Sequence, residues 1–234
     1  MRLHRFYVLQ PLGEEVVIDD VSKINQWLKV FRYKTNDLII LFNGNGFDIH
    51  YSIISISTKV CTLIRMKETP SYIPSRKISL CLSLIKKDAF ELVVQKATEI
   101  GVKTITPVIS SRSLDKNLNL KRLNVITIEA SEQCGRGDVV NINEPVKLSK
   151  AIDSIPTDAV SIFLEKDGVL FQNNTIQSNI KNSSNISIFI GPEGGWTEEE
   201  VVSFKEKGYL SVSLGTTTLR AETAAIVASF AALQ

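Results

Sequence analysis

Two segments of the chain combine glycines with residues that can do chemistry. In Ile190-Gly-Pro-Glu-Gly-Gly-Trp196, three glycines around one proline remove side chains from a turn, so the backbone can approach a ligand closely. Segment 214–223, Leu-Gly-Thr-Thr-Thr-Leu-Arg-Ala-Glu-Thr, places Arg220 just before or inside the first turn of a final helix, where a positive charge opposes the helix dipole. An arginine set against its local electrostatics is a candidate for binding an anionic or electron-rich group. A salt bridge to Glu222 is the structural alternative.

The residues after the first glycine segment disfavour a phosphate ligand. Thr197-Glu-Glu-Glu200 predicts a capping box, and its three glutamates occupy the helix end where a phosphate would bind. The glycine segment matches neither G-x-G-x-x-G nor the phosphate loop G-x-x-x-x-G-K-[ST]. We therefore expect a ligand with adenosine-like apolar character and a cationic centre, S-adenosylmethionine rather than ATP or NAD. The alternative is a turn with a structural role only.

The histidines and cysteines predict neither a metal site nor a disulfide framework. His4 and His50 are too few and too far apart in sequence to form a metal site. Cys61, Cys81 and Cys134 are odd in number and form no C-x-x-C, which is typical of a protein from a reducing compartment. We interpret Cys134 as a small helix residue, not as a nucleophile.

The elements of the first third of the chain are predicted to be β-strands. Residues 37–42 form a compact apolar run, and Asn43-Gly-Asn-Gly46 then supplies the positive φ values that a tight hairpin turn requires. Residues 49–56 and 60–66 predict two further strands, so we expect a small barrel or sandwich. Two prolines within residues 67–76 predict a linker, and the domain boundary is placed between residues 70 and 71.

Strands and helices alternate after that boundary. The predicted strands are 78–85, 104–110, 160–164, 186–190 and 210–214, and the predicted helices are 88–100, 118–134, 197–207 and 221–233. Gly101 stands where the first of these helices should end. Alternation of this kind indicates an α/β domain with a mostly parallel sheet, in which ligands bind at the carboxyl ends of the strands. Both glycine segments follow predicted strands and therefore belong to that edge.

Composition and charge narrow the class of protein. Of the 234 residues 44% are hydrophobic and 22% charged, which excludes a disordered or low-complexity chain. No apolar run approaches the ~20 residues of a membrane helix, and the opening residues show no signal peptide, so we expect a cytoplasmic protein without membrane contact. Residues 76–136 carry 11 basic and 6 acidic residues, whereas residues 137–234 carry 7 and 12. A basic middle of the chain is compatible with a polyanionic partner, and a solvated helix face is the alternative.

Several motifs, in order along essentially the whole chain, resemble those of one enzyme family. The two glycine segments are similar to the closing motifs of bacterial 16S ribosomal RNA (uracil-N3)-methyltransferases of the SPOUT superfamily. Five other motifs match. They are His4-Arg5-Phe6; Lys86, Asp88 and Glu91 with the segment 95–102; Arg112-Ser113; Arg122; and Glu129-Ala130 with Glu132-Gln-Cys-Gly-Arg136. Positions that depart from the family pattern are Gln26, Phe31, Lys87, Ala89, Leu123 and Thr217.

This resemblance implies a fold and an activity. Residues 1–70 would form a PUA-like β-barrel that binds RNA, and residues 71–234 a SPOUT α/β domain with a deep trefoil knot that binds S-adenosylmethionine and dimerises. Periodicity alone would not predict the knot, because knots are rare in proteins. The reaction would be methylation of N3 of uridine 1498, in the decoding region of 16S rRNA of the small ribosomal subunit.

The resemblance also implies the residues of the cofactor pocket, which are Leu164, Glu165, Ile190, Gly191, Gly194, Gly195, Leu214, Gly215 and Leu219. The catalytic residues would be Arg220, which stabilises charge on the uracil oxygen, and a general base for which Glu193 and Glu222 are both candidates. The candidates for RNA contact are Arg5, Arg32, Lys86, Lys87, Arg112, Arg122 and Arg136, and no residue is predicted to bind a metal. Aromatic residues near Arg5 and Arg32, namely Phe6, Tyr7, Phe31 and Tyr33, either stack bases or fill the barrel core.

Rival functions differ from this one in testable ways. A SPOUT-type protein could act on another rRNA or tRNA site, or bind RNA without catalysis. The intact glycine segments and Arg220 speak against a protein without catalysis. A nucleotide-dependent enzyme is disfavoured because the sequence has no phosphate loop.

Overall fold

The computed structural model describes residues 3–114 and 118–234, which form two compact units. The first contains the chain up to Ile73 together with Ser131–Asp138. The second contains Pro74–Ala130 and Val139–Gln234. Nothing in the sequence predicted that the short segment 131–138 belongs with the N-terminal strands.

The first unit is built on a five-stranded sheet in the order β1-β3-β4-β5-β2. The strands are β1 (Arg5–Tyr7), β2 (Glu15–Ile18), β3 (Leu38–Phe42), β4 (Phe47–Ile56) and β5 (Cys61–Pro70). Strands β1 and β3 pair parallel, and the other pairs are antiparallel. The predicted hairpin joins β3 to β4, with Gly44 and Gly46 at φ values of 89° and 92°.

The predicted linker is wrong in its first part. Strand β5 continues to Pro70 because residues 67–70 pair with the beginning of β4. Strand β2 pairs only with residues 61–64 of β5, so it does not pair with β5 at Pro70. A proline is tolerated there because no hydrogen bond from its backbone nitrogen is needed on that side.

A short helix closes over the apolar face of this sheet. Helix α1 (Val21–Gln26) begins at Asp20, whose carboxylate accepts from the backbone N–H groups of Ser22 and Lys23. A π-helical turn, Trp27–Phe31, follows and ends at Arg32, which has a φ of 57°. Its Trp27 is fully buried, and the rings of Phe6 and Trp27 pack 5.2 Å apart. Of the four aromatic residues near Arg5 and Arg32, Phe6 thus belongs to the core, and Phe31 and Tyr33 pack against it.

The second unit is a sheet in which every pairing is parallel, as predicted. The strand order is β12-β10-β11-β6-β7-β8, with β9 beside β7. The strands are β6 (Lys77–Ser83), β7 (Thr104–Ile109), β8 (Asn141–Ile142), β9 (Val146–Lys147), β10 (Val160–Leu170), β11 (Asn185–Ile190) and β12 (Leu210–Ser213).

Helices complete the α/β layers of this unit. They are α2 (Lys87–Ile100), α3 (Leu120–Cys134, which extends into the first unit), α4 (Leu148–Asp153), α5 (Asn174–Lys181), α6 (Glu198–Glu206) and α7 (Ala221–Leu233). Helix α2 ends as predicted at Gly101, with a φ of 119°. Helices α4 and α5 were not predicted, since they span only six and eight residues, less than the length at which a helical pattern is distinct. Among the described residues, no helix is long and apolar enough to cross a membrane.

Candidate active site

A cavity of about 490 Å³ lies at the carboxyl ends of β11 and β12, beside the middle of β10. Its wall comes from residues 164–166 of β10, from the last residues of β11 and β12, from both glycine segments and from the start of α7. Parallel strands end at one edge of a sheet, which is where open α/β sheets bind their ligands. The volume lies in the range of about 300–1,000 Å³ that is usual for small-molecule sites.

Most of the predicted cofactor residues line this cavity. They are Leu164, Glu165, Ile190, Gly191, Gly195, Leu214 and Leu219, joined by the predicted catalytic residues Glu193 and Arg220. Gly194, Gly215 and Glu222 lie outside the lining. Sequence reasoning missed Lys166, Pro192, Trp196, Val212, Ser213, Thr217, Thr218, Ala221 and Ala224. Most of these could have been predicted, because they are next to predicted residues in the sequence.

The first glycine segment is held in place by its own tryptophan. The indole Nε1 of Trp196 donates to the carbonyl oxygen of Leu164, at the end of the straight part of β10, over 3.1 Å. A Cβ atom added at Gly191 would lie 3.1 Å from Cε2 of this ring. A side chain at position 191 would therefore require the Trp196 ring to move by a few tenths of an ångström.

Gly194 and Gly195 occupy opposite situations in the same turn. Gly195 has a φ of 70°, lines the cavity, and would have no atom within 4 Å of an added Cβ. An added Cβ at Gly194 would instead lie 3.3 Å from Cδ of Arg112. The Nη1 atom of Arg112 donates to the carbonyl oxygens of Gly194, at 2.8 Å, and Trp196, at 3.3 Å.

The predicted capping box is confirmed at the start of α6. The Thr197 hydroxyl accepts from the backbone N–H of Glu200, and the Glu200 carboxylate accepts from the backbone N–H of Thr197. The buried Glu200 also accepts from the backbone N–H of Ser111, at 2.8 Å. Hydrogen bonding to the Thr197 hydroxyl and to the helix backbone lowers the pKa of Glu199, with a smaller contribution from the charge of Arg112.

Strand β10 is irregular beside the cavity. Its pairing with β12 shifts register between Leu164 and Val169, and an added Cβ at Gly168 would lie 2.6 Å from the backbone nitrogen of Val212. Glu165, within the irregular stretch, accepts a hydrogen bond of 2.7 Å from the Ser211 hydroxyl. This bulge sets Glu165 and Lys166 into the cavity wall, and it explains why the sequence pattern predicted a strand that stopped at residue 164.

Arg220 is the N-cap residue of α7, as the sequence predicted. Its side chain is 86% exposed, and its Nη1 lies 4.0 Å from the Oε1 atom of Glu222. A pair at this distance with one largely exposed partner contributes little to stability, about 0–1 kcal/mol. Arg220 thus lines the cavity, and within residues 3–114 and 118–234 its exposed guanidinium has no closer ionic partner.

Comparison with known proteins identifies the family. A model of the RNA methyltransferase domain matches residues 73–233. Ribosomal RNA small subunit methyltransferase E of Rickettsia conorii is 30% identical, with 97% of this chain and 94% of that protein covered. The protein of the same name from Bacillus subtilis is 29% identical, over 88% and 85% of the two chains. The chain belongs to the ribosomal RNA small subunit methyltransferase E family.

Solved structures support the same assignment. The methyltransferase E of Neisseria gonorrhoeae, crystallised with S-adenosyl methionine, has a TM-score of 0.87 at 29% identity and covers 97% of this chain and 95% of its own. A Legionella pneumophila methyltransferase in complex with the same molecule has a TM-score of 0.89 at 26% identity, over 99% and 97%. These structures confirm the predicted fold class, and the trefoil knot stays a prediction.

In the α/β unit, three predicted RNA-contacting residues follow strands that end at the cavity edge, and a fourth, Arg122, lies in α3. Lys86 and Lys87 follow β6, and Arg112 follows β7; all three are exposed. Lys87 and Arg122 approach the same carboxylate, Glu91, at 3.8 and 3.5 Å. Since the sheet is parallel, β6 and β7 end at the same edge as β11, so basic side chains are available beside the glycine segment.

The first unit of this chain corrects two of the predicted RNA contacts, those of Arg5 and Arg136. Arg5 is 8% exposed, and it donates to both carboxylate oxygens of Asp48 and to the carbonyl oxygens of Ser131 and Arg136. Arg136 is 2% exposed and pairs with Asp138 at 2.8 Å. The prediction that Arg5 and Arg136 contact RNA phosphates is wrong because their guanidiniums are buried in ion pairs. Arg32 is exposed, and its RNA contact stays a prediction.

The histidine and cysteine residues take no part in the cavity. Within residues 3–114 and 118–234, no group of three or more histidine, cysteine, aspartate or glutamate residues could hold a metal ion. Burial raises the pKa of the Cys61 thiol to about 11 and that of Cys81 to about 12, so both are poor nucleophiles at neutral pH.

Proposed function

We propose that this chain uses S-adenosylmethionine to methylate N3 of a uridine in 16S rRNA of the small ribosomal subunit, the decoding-region uridine 1498 of the family resemblance. The observation that carries the proposal is the cavity beside the middle of β10, where β11 and β12 end, with both glycine segments and Arg220 in its wall. Two relatives with TM-scores of 0.87 and 0.89 were crystallised with this cofactor. The name shared by the curated relatives supports a small-subunit rRNA substrate.

The residues of the cavity fit S-adenosylmethionine. Leu164, Ile190, Leu214 and Leu219 supply apolar surface for an adenosine group. The carboxylates of Glu165 and Glu193 are the acidic residues in the lining and suit a ligand with positive charge. The open space at Gly195 lets a ligand approach the backbone closely.

When bound, S-adenosylmethionine supplies an electrophilic methyl group on a positively charged sulfur. The residues of the chain would then have to orient the uracil ring, remove the N3 proton and stabilise the negative charge that develops on the uracil oxygens. Arg220 suits the last task, because it lines the cavity and its side chain is exposed. For the proton, Glu193 lines the cavity, whereas Glu222 lies next to Arg220, so both carboxylates stay candidates for the base.

The proposal extends to domains, partners and location. The β unit, with residues 1–70, would bind RNA, and residues 71–234 would form the knotted methyltransferase domain that dimerises. Helix α7 leaves Val227 and Phe230 exposed, which supports an apolar contact between two copies. We propose a cytoplasmic homodimer, which a mass measurement in solution by analytical ultracentrifugation would test.

The deciding experiment measures both product and cofactor binding. Purified protein is incubated with S-adenosylmethionine and with either naked 16S rRNA or assembled small subunits, and methylated nucleotides are located by mass spectrometry of RNA fragments. We expect 3-methyluridine at the decoding-region position. Methylation elsewhere would indicate another rRNA or tRNA target, and cofactor binding without product would indicate an RNA-binding protein without catalysis.

The Arg220→Ala variant tests the assigned role of the guanidinium. We expect cofactor affinity within a few-fold of the unmodified protein and a fall in turnover of about 10²–10³, the usual effect of removing one donor to a developing oxyanion. The Lys181→Ala variant, which removes an exposed charge at the end of α5, is the control. Normal turnover with lowered thermal stability would show that Arg220 only pairs with Glu222.

A further inference from the structure

Arg112 contacts the outer side of the glycine segment 190–196. Its Nη1 atom donates to two carbonyl groups of the segment, those of Gly194 at 2.8 Å and Trp196 at 3.3 Å. The next residue back, Ser111, donates its backbone N–H to the buried carboxylate of Glu200 in α6. The loop after β7 is therefore hydrogen-bonded both to the glycine segment and to α6, the helix that follows it.

The glycine segment has two distinct sides. Gly191, Pro192, Glu193, Gly195 and Trp196 line the cavity, whereas Gly194 does not. At Gly194 an added Cβ would meet the Arg112 side chain, at 3.3 Å from Cδ and 3.4 Å from Cβ. The arginine thus lies behind the wall, and the wall residues lie between it and the cavity.

We propose that Arg112 is a positioning residue for the cofactor cavity. By holding the carbonyl groups of Gly194 and Trp196, its guanidinium keeps the glycine segment in the conformation that receives the cofactor. The inference rests on the proposed function and assigns Arg112 a role that an RNA phosphate contact does not include. A wall that is already ordered loses less conformational entropy when a ligand binds, so removing Arg112 weakens the cofactor complex even without RNA.

Cofactor affinity measured without RNA separates this role from a phosphate contact. We expect Arg112→Met to raise the Kd for S-adenosylmethionine in calorimetric titration by about tenfold, since hydrogen bonds from a charged donor are lost. Both bonds come from the single atom Nη1, so Arg112→Lys, which keeps a terminal nitrogen with several donors, should recover most of the affinity. The Lys181→Met variant is the control for loss of one exposed positive charge.

A second variant tests the same contact from the other side. Gly194→Ala should also raise the Kd, because its Cβ displaces the Arg112 side chain. When Gly194→Ala is combined with Arg112→Met, the effect should be clearly smaller than the product of the two single effects, as for residues that share one interaction.

The outcomes distinguish the inference from the function on which it rests. If the unmodified protein fails to bind S-adenosylmethionine, the proposed function is wrong. If the unmodified protein binds and Arg112→Met has the same Kd, the positioning role is wrong and Arg112 acts on RNA or not at all. Independent effects of Gly194→Ala and Arg112→Met would likewise contradict it. Thermal unfolding of each variant shows whether its fold is intact.

Discussion

The three glycines of segment 190–196 differ in what an added side chain would meet. Gly191 makes room for the Trp196 ring, and Gly194 for the Arg112 side chain. Gly195 has open space around it, and its constraint is the positive φ of 70° together with its place in the cavity wall. Gly195 thus keeps side-chain atoms out of the open space beside the cavity wall.

Leucine substitutions at two glycines distinguish the effect of backbone strain on stability from the effect of a side chain on cofactor binding. Gly195 and Gly208 have φ values of 70° and 74°, and neither has an atom within 4 Å of an added Cβ. Gly195→Leu and Gly208→Leu should therefore each lower the free energy of unfolding by about 1–2 kcal/mol. Only Gly195→Leu should abolish S-adenosylmethionine binding, because only Gly195 lines the cavity. Calorimetric titration that finds near-normal affinity in Gly195→Leu would show that the segment is structural only.

At the scale of secondary-structure elements, an ion pair connects β1 to β4 across the intervening strand β3. Arg5 of β1 pairs with Asp48 of β4, and the guanidinium carbon lies 4.2 Å from the ring centre of Phe42 in the intervening strand β3. The same guanidinium donates to the carbonyl oxygen of Ser131 in the last turn of α3, which also accepts from the backbone N–H of Gly135. This hydrogen bond joins β1 to the end of α3.

Removing either partner of this pair should destabilise the protein strongly. Arg5 and Asp48 are 8% and 15% exposed, so Arg5→Leu leaves a buried carboxylate without its cation. We expect a loss of about 3 kcal/mol in the free energy of unfolding, measured by urea denaturation. The double variant Arg5→Leu/Asp48→Leu should lose less free energy of unfolding than the two single variants lose together.

The control for that prediction is Arg65→Leu on β5. Its guanidinium pairs with Glu68 and Glu14, whose side chains are partly or largely exposed, so its loss should cost less than about 1 kcal/mol. Equal effects of Arg5→Leu and Arg65→Leu would contradict the structural role assigned to the Arg5–Asp48 pair.

At the scale of the whole molecule, charge is divided between the middle and the end of the chain. The basic middle, residues 76–136, includes the exposed Lys86 and Lys87 beside the cavity edge, whereas its Arg136 is buried. The candidates for phosphate contact are therefore fewer than the net charge suggests. In the first unit, Arg32 is the exposed candidate and Arg5 is not.

Salt dependence of RNA affinity tests this reduced set. Arg32→Ala and Lys86→Ala should each flatten the slope of log affinity against log salt concentration by ~0.7 for single-stranded RNA. The methylated base should not change, because phosphate contacts position a nucleic acid and base contacts specify it. Lys181→Ala, in the acidic end of the chain, should leave the slope unaltered. Unchanged slopes in both test variants would make the basic middle a solvated face.

Local signals in the sequence predicted the elements and the position of the site. The hairpin turn at residues 43–46, the end of α2 at Gly101 and the capping box of Thr197 each depend on residues within a few positions of one another. The alternation of strands and helices indicated a parallel sheet, and its rule for ligand sites then located both glycine segments at one edge. These properties could be predicted because short-range backbone chemistry determines them.

Tertiary structure alone decided what individual charged residues do. Arg5 meets Asp48 across 43 positions of sequence, and Arg112 meets Gly194 across 82. Sequence reasoning assigned both arginines to RNA, since an arginine among aromatic or basic neighbours is typical of a phosphate contact. The structure shows one buried in an ion pair and the other bonded to backbone carbonyl groups. Which partner a guanidinium finds depends on how distant strands align, and no local pattern of residues encodes that alignment.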